Sequence, residues 1–187
     1  MYTMKNSTNK SNVNIQIYIA CLAAYNNGFL HGRWVDASLG IDHVREQIKF
    51  ILLDSPMDEE GYPCEEWAIH DFEGFGNYKI SEYHDLEELC EVAEFLKECE
   101  EKDFPSDVVS WLIDDYGIEG AKEKMEDSFI GEFDSDSDIA YHLVEETGML
   151  EGVCNRIAQY FDYEAYGRDL SMGGDVMSFS GYYFWNH

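Results

Sequence analysis

The stretch Asp85 to Asp103, DLEELCEVAEFLKECEEKD, does most to limit what this chain can become. Wound as a helix at about 100° per residue, it gathers Leu86, Leu89, Cys90, Ala93 and Leu96 on one side, widened by Val92, Phe95 and Cys99. Glu87, Glu91, Glu94, Glu98 and Glu101 gather on the other. At about 1.5 Å rise per residue, those five carboxylates form a row roughly 21 Å long, with a charge every ~5 Å. Like charges at i,i+4 destabilise a helix by roughly 0.2–0.5 kcal/mol per pair. Glu alternating with Lys would serve solubility as well, yet only Lys97 and Lys102 dilute the stretch. A regular file of fixed negative charge on a rigid rod resembles the phosphate edge of a nucleic acid.

The rest of the composition sharpens this. The chain has 187 residues and a formal net charge of −27. The charge is uneven: residues 1–53 carry five basic and three acidic side chains, whereas residues 54–103 carry three and 18. Residues 104–151 carry two basic and 14 acidic side chains, and residues 152–187 two and four. The acid therefore sits in the middle. Such a balance argues against direct binding of nucleic acid or an anionic membrane, which want Lys and Arg, and favours a basic partner. With 45% apolar residues and abundant aromatics, the chain can still build a core, as a disordered acidic tail could not. The five cysteines, Cys21, Cys64, Cys90, Cys99 and Cys154, are odd in number and show no zinc spacing. With a polar N-terminus and no run long enough to span a bilayer, they are expected as free, mostly buried thiols in a reducing cytoplasm.

Periodicity predicts an α+β chain in modules: a frayed extension over 1–13, an α+β module over 14–83, an acidic helical module over 84–127, and a second α+β module over 128–187. In the first module, Ile15 to Leu22 reads as a strand, Gly28 as a turn and Phe29 to Asp36 as the hairpin partner. Asp42 is expected to cap a helix from His43 to about Leu53 with Val44, Ile48 and Ile51 inward. Residues 54–63 read as a charged loop, Trp67 to Ile69 as a short third strand, and His70 to Tyr83 as a connector or short strand. In the second module, a helix after the opening one runs from near Pro105 to Tyr116 and ends at Gly117. Ile118 to Asp127 is a further helical piece, on which Glu119, Glu123 and Glu126 repeat the four-three spacing. In the third, Phe129 to Phe133 is a strand, and Asp136 or Ser137 caps a helix closed by Gly148. Gly152 to Phe161 is expected as a helix with Val153, Ile157 and Tyr160 inward. Asp162 to Leu170 is expected irregular or briefly helical, and Asp175 to Trp185 a strand pair or one long strand.

Several constellations could carry chemistry. Asp134, Asp136 and Asp138 with Glu145 match four ligand positions of a calcium loop, but Ile139 stands where the pattern demands Gly, and acidic helix capping is the expected role. His70 with Asp71, and His84 with Asp85, invite general acid–base work, yet no nucleophile or glycine loop follows; a structural His is expected at His70. Tyr160, Phe161, Tyr163, Tyr166 and Tyr182 to Trp185 lack the flanking cations of a single-strand platform, with only Arg156 and Arg168 near. They suit core packing or a self-association surface, the natural dimer contact lying near the C-terminus.

Tyr18 to Asp36 (YIACLAAYNNGFLHGRWVD) resembles the opening hairpin of the ArdA antirestriction proteins, and EEWAIHDF at Glu65 to Phe72 and ISEYHDLEEL at Ile80 to Leu89 are similar to the same family. The strongest resemblance runs from Val144 to Leu170, in EETG at Glu145 to Gly148 and DYEAYGRDL at Asp162 to Leu170. The chain departs from the pattern in its polar N-terminal extension, the insertion near 54–63 and the YYFWNH ending. The resemblance implies an elongated acidic homodimer that mimics B-form DNA. Such a protein occupies the DNA-binding groove of type I restriction–modification enzymes, lets mobile DNA escape cleavage, and needs no catalysis or cofactor. At about one charge per 1.7 Å of duplex, 27 charges correspond to about 46 Å of DNA. The expected contact surface is Glu87, Glu91, Glu94, Glu98, Glu101, Asp114, Asp115, Glu119, Glu123, Glu126, Asp134 and Asp136. The alternatives are an acidic enzyme, metal-dependent through Asp134, Asp136, Asp138 and Glu145 or acid–base through His70 and Asp71, and an adaptor for another basic protein.

Overall fold

The computed structural model describes residues 14–59 and 64–186, with backbone alone at 58 and 59. The extension over 1–13, residues 60–63 of the charged loop and His187 lie outside the described residues. The chain divides into two compact units, Met1–Ser110 and Trp111–His187, and the class is α+β in both.

The N-terminal unit is built on β1 (Gln16–Cys21), the central strand of a three-stranded antiparallel sheet. Ile17, Ile19 and Cys21 alternate on its buried face, the period-two pattern of a covered strand. A short α1 (Leu22–Asn26) and a turn at Gly28 return the chain to β2 (Gly32–Asp36) on one edge. A 3₁₀ turn at Ala37–Leu39 follows, capped by Asp36, whose Oδ1 accepts from the Ser38 amide at 3.0 Å and hydroxyl at 2.6 Å. The next helix, α2, spans Ile41–Leu53 and buries Val44, Ile48 and Ile51 against β1 and β2. Asp42 is not its cap. Gly40 holds that position with φ 87°, and Asp42 lies in the first turn, where its charge still favours the positive helix end. The expected charged loop contains a short α3 (Pro56–Glu59).

On the other edge, β3 (Trp67–Glu73) outruns the expected Trp67 to Ile69, because β1 is long enough to pair with it from Cys21↔Trp67 to Gln16↔Glu73 across a bulge. The connector beyond β3 is packed: Phe75 is 1% exposed and Tyr78 8%. It leads to α4 (Leu86–Glu101), capped by Asp85, whose Oδ1 accepts from the amides of Glu87 and Glu88 at 3.0 Å each. The helix lies against the 3₁₀ turn and α2.

From Ser106 to Glu123 runs α5, interrupted at Gly117 (φ 71°, ψ 175°), the residue expected to end the helix. Only glycine enters that region without strain. A π-helical turn, Lys124–Ser128, then delivers β4 (Phe129–Glu132). Ser135 caps α6 (Asp136–Thr147), one residue earlier than expected, and Gly148 closes it in the left-handed region. The predicted helix over Gly152 to Phe161 shrinks to α7 (Asn155–Ala158), with Ile157 67% and Tyr160 81% exposed instead of inward. Their spacing suits a helix, but no neighbour among the described residues covers that face. The stretch expected to be irregular or briefly helical forms the 11-residue α8 (Tyr163–Gly173), capped by Asp162 through the Ala165 amide at 2.9 Å. The chain closes as the hairpin β5 (Val176–Phe179) and β6 (Tyr182–Trp185), in sheet order β4-β6-β5. The core of this unit joins Phe133, Ile139, Leu143, Leu170, Val176 and Tyr183.

Close approach of α6 and α8 depends on Gly167, which is buried; a Cβ there would land on the carbonyl of Asp136. Gly167→Ala is therefore expected to destabilise the C-terminal unit by about 1–3 kcal/mol, as overpacking does, read by urea titration. A second test uses Tyr183, whose hydroxyl donates to Asp136 Oδ1 at 2.8 Å. Burial, followed by the neighbouring Asp136, pushes its phenol up to about 12. The fold thus favours the neutral phenol, and the stability gained is complete below the unfolded value near 10 and lost as pH climbs to about 12. At 1.36 kcal/mol per unit this is at most about 3 kcal/mol. Tyr183→Phe should melt below the parent at pH 8, with the two curves converging toward pH 12.

Candidate functional site

The packing of α4 decides where its acids point. Leu89, Cys90, Val92, Ala93, Phe95, Leu96 and Cys99 are all buried, together an arc of about 220° at 100° per residue. The remaining stripe holds Glu87, Glu91, Glu94, Glu98 and Glu101, every one exposed. Four like-charged neighbours at three or four residues oppose the helix by about 1–2 kcal/mol in sum. Burying Leu89, Val92, Phe95 and Leu96 favours it by roughly 1.5–3 kcal/mol each. Packing wins, and the row is held outward.

The row is not wholly bare. Arg45 on α2 donates from Nη2 to Glu87 Oε1 at 2.7 Å, with both side chains more than half exposed, so the pair adds little stability. Glu94 Oε1 lies 2.9 Å from where a Cβ on Gly40 would sit, beside the positive start of α2. Lys97 turns sideways to Glu100 at 3.4 Å. Sequence reading missed Glu88, also exposed, which accepts from the Tyr78 hydroxyl at 3.1 Å and stands 3.9 Å from His84. The i,i+4 spacing of His84 and Glu88 was the signal for it.

The other predicted acids belong to the C-terminal unit. Asp114 and Asp115 are exposed just before the break at Gly117, and Glu119, Glu123 and Glu126 are exposed after it. Glu119 accepts from Lys122 Nζ at 2.8 Å. The regular spacing of these three does not persist, because the α-helix ends at Glu123 and Glu126 sits on the wider π turn. Asp134 is exposed, whereas Asp136 is half-buried under Tyr183. Ser135 Oγ accepts from the Asp138 amide at 3.2 Å and donates to Asp138 Oδ2 at 2.6 Å, so the would-be calcium loop serves as a helix cap. Among the described residues no group of three or more His, Cys, Asp and Glu is placed to hold a metal ion. Further acids not predicted as contacts extend this surface: Glu145, Glu146 and Glu151 are exposed, and Glu145 and Glu151 line an open cleft of about 530 Å3 with Tyr141 and Tyr163.

His70 is exposed on β3, its ring edge-on to Tyr25 with centroids 4.7 Å apart, an arrangement that packs the imidazole against an aromatic edge. Across the described residues no carboxylate is buried, and only Asp36, Glu100, Asp107 and Asp136 are less than exposed. No described helix is long and apolar enough to cross a membrane. Among the described residues the carboxylates are thus mostly solvated.

No individually curated protein matches the chain. The family model described as antirestriction protein (ArdA) matches residues 17–184, from the first strand to the last. The chain belongs to the ArdA family of antirestriction proteins.

Proposed function

We propose that the protein inhibits restriction by DNA mimicry, occupying the DNA-binding groove of a type I restriction–modification enzyme as a homodimer. It acts by occupancy, without turnover. The observation that supports this most directly is the stripe on α4, where every side chain left to solvent between the buried edges is a carboxylate. DNA-binding proteins draw much of their affinity from phosphates by counterion release, without reading base identity. A protein surface of fixed carboxylates can recruit that term. One row with a charge every ~5 Å is sparser than a single DNA strand, at about 3.4 Å of axis per charge. Acids in all the modules expected at 14–83, 84–127 and 128–187 would have to contribute, the central block and Asp134 most. A pre-shaped protein also avoids the ~1–6 kcal/mol that bending real DNA costs the enzyme.

The test is competition between the protein and labelled duplex for a purified type I complex at two salt concentrations. Inhibition is expected to weaken steeply from about 50 to 200 mM salt. Changing Glu91, Glu98 and Glu101 together to Lys leaves Glu87 with Arg45 and Glu94 beside α2. The variant should keep its far-ultraviolet circular dichroism and inhibit at least tenfold less well. Undiminished inhibition by the folded variant would remove this row from the contact surface. Failure to displace duplex at either salt concentration would remove the mimicry.

A further inference from the structure

Helix α2 sends a cation across to the acidic row of α4. Arg45 donates from Nη2 to Glu87 Oε1 at 2.7 Å, a one-pronged contact between side chains 54% and 67% exposed. The other end of α2 carries a matched pair, in which Arg33 Nη2 donates to Asp54 Oδ2 at 2.8 Å, with exposures of 49% and 67%. Nine residues separate Arg45 from Asp54, roughly 13 Å along the helix axis. The two pairs are alike in geometry and solvation, but the first takes up a carboxylate of the row. On the mimicry reading, on which this rests, we propose that Arg45 sets the affinity of the row as a built-in competitor: it holds Glu87 in the unbound protein and yields it to a lysine or arginine of the restriction enzyme's DNA-binding groove.

Two physical differences favour the exchange. Water solvates both partners of an exposed ion pair and salt screens them, so Glu87 leaves Arg45 at little cost. A cation of the enzyme meets Glu87 in an interface that excludes water, where the same attraction is stronger. An arginine that turns both prongs to the carboxylate adds a second charge-assisted hydrogen bond, which the single contact from Arg45 lacks. Arg45 nevertheless opposes binding in two ways. It lowers the negative potential that the row shows to an approaching cation, and once released it stands as a like charge beside the newcomer. Removing Arg45 therefore strengthens inhibition, whereas a mere tether between α2 and α4 would weaken it when lost. Arg33, paired with Asp54 at the far end of α2, carries the same charge without facing the row and provides the comparison.

The experiment repeats the duplex competition with the full chain carrying Arg45→Gln, Arg33→Gln, Glu87→Gln, or Arg45→Gln with Glu87→Gln. Both arginine changes alter the net charge equally and should keep the parent's circular dichroism, since exposed pairs contribute little to stability. Arg45→Gln is expected to inhibit about two- to fivefold more strongly, the scale of one exposed ion pair. Its log–log salt dependence should steepen by up to about 1, as one more carboxylate becomes available to the enzyme. Arg33→Gln should inhibit as the parent does, and Arg45→Gln should bring no further gain once Glu87 is Gln. Unchanged or weaker inhibition by folded Arg45→Gln would overturn the proposal by leaving Arg45 a tether at most. An equal gain from Arg33→Gln, or a gain that survives Glu87→Gln, would overturn it in favour of net charge alone. If the parent itself fails to displace duplex, the mimicry falls and takes this role of Arg45 with it, a result distinct from the other three.

Discussion

Desolvation of one face of α4 is the constraint on which the acidic surface depends. Seven buried side chains hold the helix to the 3₁₀ turn and α2, and they cover so much of its circumference that Glu87, Glu91, Glu94, Glu98 and Glu101 share one narrow exposed stripe, with Glu88 exposed apart from it. A helix held by charge alone would unwind or rotate to relieve the repulsion between Glu87, Glu91, Glu94, Glu98 and Glu101. Here the apolar contacts outweigh that repulsion several-fold, so the carboxylates stay where the core puts them. A fixed array is worth more to a partner than a mobile one, because little ordering remains to be done on binding.

The C-terminal unit spends its acids differently. Asp138 completes the cap of α6 with Ser135, Asp162 caps α8, and Asp136 anchors the hydroxyl of Tyr183 at the edge of the core. These carboxylates orient helices. Asp114, Asp115, Glu119, Glu123 and Glu126 remain exposed around the break at Gly117, where the backbone turns them out of a single line. The net negative charge thus comprises two populations, one used inside the fold and one facing solvent. The second suits a protein whose family opposes restriction.

Much of this was legible in the residues. The amphipathic period of Asp85 to Asp103 named both the helix and its exposed acids, whereas the cap by Asp85 came from the structure. The β-rich run from Ile15 to Leu22 named a strand, which the structure places at the centre of its sheet, and Gly117 and Gly148 named the helix ends. The misses share one cause. The reading took Val153, Ile157 and Tyr160 for an inward face, and allowed Asp162 to Leu170 only an irregular or briefly helical path. A single glycine in a helix costs only about 1 kcal/mol, and tight packing of α8 on α6 through Gly167 outweighs it.

Local periodicity fixes which residues can share a face, because it depends only on backbone geometry. By itself the sequence therefore determined the charge imbalance, the α+β class and the row on α4. Which faces are covered depends on what the rest of the chain brings alongside. That exposed Ile157 and Tyr160, set Arg45 against Glu87 and drew Asp136 under Tyr183. Only tertiary structure could decide these pairings, since each joins residues whose separation along the chain no local period spans, or removes a neighbour that a local period had assumed.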